Sequence, residues 1–192
     1  MVTEEQTRAS REAVAAVVRG RRSIDLFQPE PIGTVELLEA IDVARWAPNH
    51  RLTEPWRFYL VGKQTAAAIV ELAAELDAAA KGEAAGAARR ARLQGIPGFF
   101  VLTSRRSEDQ LQDREDYAAC CCAVQNLMLY LWASGVGVKW TTGGIMRQQR
   151  FYELLGVDST QEIVVGFFWY GWPKVVPTQK RREAAQIVTT LP

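Results

Sequence analysis

Residues 109–134, DQLQDREDYAACCCAVQNLMLYLWAS, restrict the fold more than any other stretch. The first part is charged; from Tyr117 onward the segment is apolar on nearly every side at helical spacing. A helix that is apolar all round is buried all round. In a chain of 192 residues it must run through the centre of a single domain or lie where two copies meet. Cys120, Cys121 and Cys122 fall inside it. Neighbours on a helix point about 100° apart, so the three thiols cannot converge on one metal. With no CxxC pair and one histidine in the chain, a zinc site has no donor set. The cysteines read as small, reduced side chains in a packed helix.

Around that helix the chain alternates. Residues 3–19 read as a helix with Val14, Val17 and Val18 among its apolar positions, stopped by Gly20. Thr34 is placed to cap a second helix, with Leu37, Leu38, Ile41 and Ala44 on one face and Pro48 as its stop. WRFYLVG (56–62), PGFFVLTSR (97–105), GVGVKWTTGG (135–144) and EIVVGFFWYGW (162–172) read as strands, the last as the centre of the sheet. Residues 64–94 are rich in Ala, Glu, Lys and Arg and predict one or two surface helices broken near Gly82, a candidate lid. Residues 147–156 are a short helix, and 173–192 are a C-terminal extension. Strands separated by helices predict an α+β or α/β sandwich in one domain spanning 1–192.

Charge and motifs exclude several classes. The formal net charge is +1, from 23 basic and 22 acidic residues, which argues against a nucleic-acid binder. No run reaches the roughly 18 apolar residues of a membrane span and no secretory signal is visible, so a soluble cytoplasmic protein is expected. GxGxxG after a strand, GxxxxGK[ST] and GxSxG are all missing.

What remains is a set of turns. Arg21-Arg22-Ser23 offers two forked donors and a hydroxyl, suited to a phosphate or a polyol chain, and Lys180-Arg181-Arg182 is a second basic cluster. KWTTGG (139–144) places Lys139, Trp140, Thr141 and Thr142 before two glycines, where backbone can approach a flat heterocycle. Trp46 and Trp140 stand beside turns and could border a planar ligand. His50, the single histidine, lies in APNHRLTEPW between Pro48 and Pro55.

RRSIDLF, ARWAPNHRLTEPWRFYLVG, GVGVKWTTGG and EIVVGFFWYG, in this order, resemble the FMN-dependent nitroreductase family, specifically its short single-domain branch. The resemblance implies a mainly antiparallel central sheet flanked by helices and an intertwined homodimer with FMN sites built from both subunits. It also implies ping-pong reduction by NADH or NADPH of a nitroaromatic, quinone or similar small-molecule acceptor. A flavin-storage protein of low turnover, or other flavin chemistry on this fold, is the alternative. By the same resemblance Arg21, Arg22 and Ser23 contact phosphate and ribityl chain. Trp46 and His50 lie near FMN, Trp140, Thr141 and Thr142 line the flavin, and Arg181 is the second phosphate contact. No catalytic side chain is implied. Leu52 and Glu54 depart from the family's usual Asn and Gln. Lys139 or an arginine of 21–22 would supply the cation that favours a reduced flavin.

Overall fold

The computed structural model describes residues 3–192. Six helices, α1 (Glu4–Gly20), α2 (Thr34–Ala44), α3 (Lys63–Lys81), α4 (Glu83–Gln94), α5 (Gln110–Ala133) and α6 (Gln149–Leu155), surround four strands. These are β1 (Trp56–Leu60), β2 (Gly98–Arg105), β3 (Gly137–Thr141) and β4 (Glu162–Gly171). All strand pairs are antiparallel and the order is β1-β2-β4-β3, so β4 is interior as its β-branched and aromatic composition predicts.

Both faces of the two inner strands are covered. Phe99, Val101, Phe167 and Trp169 point into a core shared with Ile69, Leu72 and Phe151. Phe100, Leu102 and Phe168 point to the other side, against Leu37 of α2 and Val124, Leu127 and Leu131 of α5. Phe100 and Phe168 stack with centroids 4.5 Å apart and planes 3° from parallel. The inner strands are therefore apolar without alternation, because neither face meets water. The register shifts by one between Leu102 and Thr103, leaving Val165 of β4 as an extra, bulged residue.

Several local expectations are corrected. Gly33, not Thr34, is the N-cap of α2, and no side-chain hydrogen bond caps it. Leu38 is exposed although Leu37, Ala40 and Ala44 are buried. The Ala-rich segment divides at Gly82 (φ +92°) as expected, but its first helix is not merely a surface helix: Ile69, Val70 and Leu72 anchor it in the core. Within one chain α5 buries a stripe from Gln112 to Leu131, while Leu111, Tyr117 and Cys122 stay exposed. α1 has an Asp/Glu-rich first turn and a full capping box at Thr3, yet buries no residue, and Val14 and Val18 are open. These two helices thus leave an apolar surface uncovered by their own chain. No helix of the described residues is long and apolar enough to cross a membrane.

Candidate functional site

Residues 21–28 leave α1 as an irregular strand wedged between β3 and the tail. Ser23 forms a parallel bridge with Val138, and the Ile24 N–H donates to the Val138 carbonyl at 3.3 Å. On the other side Phe27 bridges Pro173, and the Lys174 N–H donates to Leu26 at 2.9 Å. The chain needs this wedge because the edge of β3 would otherwise show unpaired backbone groups. Gly137 makes it possible, since a Cβ there would sit 2.4 Å from Ile24.

The wedge gathers the predicted cations. Burial lowers the pKa of the Arg21 guanidinium, and the positive charges of Arg181 and then Arg22 lower it further. Three like charges converge with no carboxylate paired to any of them among the described residues. Such a cluster is relieved by a bound anion. Arg22 is partly committed: its Nη1 donates to the carbonyls of Arg19 (2.6 Å), Gly20 (3.1 Å) and Arg21 (2.9 Å), and its Nε to Pro177 (3.2 Å). It closes the C-terminus of α1 and ties down the tail that carries Arg181. The sequence could not reveal this, because a carbonyl acceptor carries no residue signature. Ser23 is exposed beside the cluster.

On β3, Trp140 and Thr141 spend their polar atoms within the sheet. The Trp140 indole N–H donates to the carbonyl of the bulged Val165 at 3.1 Å, and the Thr141 hydroxyl donates to Phe167 at 2.6 Å. Trp140 fits because Gly166 lacks a side chain; a Cβ there would lie 2.4 Å from the indole nitrogen. As successive strand residues they face opposite sides of the sheet: the Trp140 ring lies 5.4 Å from the Phe168 ring, whereas Thr141 stands opposite Phe167. Lys139 points away from Trp140, to the Thr141 side, ion-paired with Asp25 and 5.0 Å from the Trp169 ring centroid. Arg92 also pairs with Asp25, at 2.9 Å.

Thr142 is exposed and lines a cavity of about 550 Å³ between the end of β3, α6 and the start of β4. Arg106, Tyr117 and Arg147 share its wall, none of which the sequence singled out.

Trp46 and His50 lie in the segment between α2 and β1. Trp46 is 75% exposed, with only the Arg45 guanidinium over its ring at 5.5 Å. His50 is exposed and begins a turn in which Arg51, Leu52 and Glu54 have φ of +58°, +51° and +43°. Left-handed backbone at three non-glycine residues is strained, and Thr53 holds it by donating to the buried Asp116 carboxylate at 2.5 Å. Gln112 donates to the same oxygen at 2.9 Å. Leu52 is 83% exposed, and Glu54 is exposed and in no ion pair among the described residues. Among the described residues no hydrogen bond joins this turn to the arginine cluster of the same chain.

This arrangement has counterparts among known proteins. A candidate NAD(P)H nitroreductase of Bacillus subtilis, YfhC, is 29% identical over 174 residues, covering 86% of this chain and 87% of that protein. The Escherichia coli K12 protein YdjA, named likewise, is 25% identical over 168 residues, covering 85% and 90%. The crystal structure of a nitroreductase-like family protein from Bacillus cereus superposes with a TM-score of 0.81 at 29% identity, covering 93% of this chain and 95% of that one. The profile of the Nitroreductase family matches residues 18–172, from the end of α1 through β4, and the chain belongs to that family.

Proposed function

We propose that this chain is an FMN-dependent oxidoreductase that takes reducing equivalents from NADH or NADPH and passes them to a nitroaromatic, quinone or similar small acceptor. The observation that carries the reading is the convergence of Arg21, Arg22 and Arg181 beside the edge of β3, the strand that carries Trp140 and Thr141. An uncompensated cationic cradle suits the phosphate tail of a cofactor, and an aromatic side chain on the neighbouring strand suits its planar ring. Two solved nitroreductase-like structures, from Desulfovibrio desulfuricans and Exiguobacterium sibiricum, are described as complexes with FMN.

When bound, FMN supplies the carrier that separates oxidation of the nucleotide from reduction of the acceptor. The chain's own residues bind and orient. Arg21 and Arg181 grip the phosphate, with Ser23 as a further donor. Arg22 holds the tail so that Arg181 stays in place. Trp140, Thr141 and Thr142 flank the ring. For a nitro acceptor the sum is ArNO2 + NAD(P)H + H+ → ArNO + NAD(P)+ + H2O, which needs no side-chain nucleophile. The cytoplasm, where reduced nucleotides are made, is the expected setting.

Trp46 and His50 join this site across a homodimer. Among the described residues no hydrogen bond ties their turn to the arginines of its own chain, and the exposed apolar faces of α1 and α5 need a cover that a second copy provides. His50 then hydrogen-bonds the ribityl chain or phosphate of the partner's FMN. Anaerobic mixing with NADH and NADPH is the test: a yellow protein that bleaches rapidly supports the enzyme, whereas a yellow protein that does not bleach supports a storage role. A colourless protein that refuses added FMN would overturn the reading. Sedimentation at micromolar concentration should give a dimer, and a monomer would remove the shared site.

A further inference from the structure

The cavity beside Thr142 has an unusual donor inventory. Arg147 closes the short turn Gly144–Arg147, is exposed, and makes no ion pair among the described residues. Arg106 uses Nε on the Ser159 carbonyl at 3.0 Å, leaving its two Nη groups without an acceptor among the described residues. Gln149 accepts from the Ser159 hydroxyl through Oε1 at 3.0 Å, so its amide N–H2 is unspent. Tyr152 is buried, and its hydroxyl oxygen accepts from the Val164 N–H at 3.2 Å, which leaves the O–H proton to donate. No Asp or Glu lines the cavity. Below these groups the floor is apolar, made by Met146, Ile163 and Val165.

A pocket with two permanently cationic groups, no carboxylate, and hydroxyls at Tyr117 and Thr142 that can turn their protons inward suits an acceptor-only anion. Forked guanidiniums match a carboxylate in particular. The volume of about 550 Å³ takes a single substituted aromatic ring with room to spare. We infer that this cavity binds the carboxylate of a planar aromatic acid, with Arg147 and Arg106 on the anion and the ring laid over the apolar floor toward Thr142. The inference deepens the oxidoreductase reading by naming its acceptor as an anionic aromatic compound, but binding itself does not require turnover.

The experiment is equilibrium titration of the protein, after incubation with FMN, with 4-nitrobenzoate and with its uncharged isostere 4-nitrobenzamide. The wild type should bind the carboxylate about ten- to a hundredfold more tightly than the amide, the range expected for a hydrogen-bonded charge. Arg147→Gln should erase most of that preference while leaving amide affinity and FMN content unchanged. Arg106→Gln should do the same to a smaller degree, since part of that side chain is structural. Equal affinity for the two compounds, or a preference untouched by both substitutions, would overturn the assignment. If the anion recognised were instead the pyrophosphate of the nucleotide, the variants would raise the KM for NAD(P)H and leave the acid's affinity alone, which also counts against it. A protein that takes up no FMN yet still discriminates acid from amide would sink the flavin reading and leave this one standing.

Discussion

The Thr53 hydroxyl lies 2.5 Å from Oδ1 of Asp116, a carboxylate that is 2% exposed on α5. This bond joins the most strained backbone of the described residues to the most buried helix of the fold. Asn49 adds a second strut, donating to the Thr53 hydroxyl at 3.3 Å. The turn that presents His50 is thus set from beneath, by a residue that does not itself reach the surface.

Asp116→Ala should therefore do two things. It strands the Thr53 hydroxyl and the Gln112 amide in a buried place, at a cost of about 1–3 kcal/mol. It also frees the strained turn. Urea unfolding should show the loss, and Thr53→Val should show a smaller one.

The Cys120 thiol is pushed up to about 12, chiefly by burial, against an ordinary value near 9. The folded chain keeps this proton where the unfolded chain has lost it. Between those two values the folded state binds more protons, so stability falls as pH rises through the window and is untouched below it. Denaturant midpoints from pH 8 to 10.5 should fall more steeply in the wild type than in Cys120→Ala. At pH 8 the thiol should resist alkylation until the protein unfolds.

Gly166→Ala would place a methyl 2.4 Å from the Trp140 indole nitrogen and 2.5 Å from the Phe168 ring. Neither neighbour can retreat freely, because Trp140 is bonded to Val165 and Phe168 is stacked on Phe100. Overpacking of this kind costs about 1–3 kcal/mol. A changed near-ultraviolet circular dichroism signal, alongside a lower melting temperature, would register the displaced indole.

Arg181→Ala should separate the tail of the cofactor from its ring. Loss of a charged hydrogen bond weakens binding by about ten- to a hundredfold. FMN affinity should fall on that scale while riboflavin, which lacks the phosphate, should bind the variant and the wild type alike. Fluorescence titration of the two flavins checks it.

Much of the frame was legible. β-branched and aromatic runs marked all four strands, and Gly20 and Gly82 marked helix ends, because a strand core and a helix stop each have a residue chemistry of their own. The bent turn at 51–54 had no such mark: Arg51, Leu52 and Glu54 are poor left-handed residues, and only their tertiary tether to Asp116 keeps them there. Arg22 looked like a free cation, yet backbone carbonyls take much of it, and those are invisible in a one-letter code. Arg106 and Arg147 carried no motif at all. They meet only because the antiparallel pairing of β2 with β4 brings distant segments to one end of the sheet.

The extra residue in β4 reaches further than its own hydrogen bonds. A strand of strict alternation can offer only every second residue to one compartment, yet Ile163, Val164 and Val165 all contribute to the wall of the same cavity. The insertion at Val165 bends the strand there, so that Val164 and Val165 both border the cavity although they pack into the cores on opposite faces of the sheet. A variant shortened by that one position would keep its strand order and forfeit the shape of its binding chamber, so in this protein the contour of the ligand's bed is written as a counting irregularity in a strand.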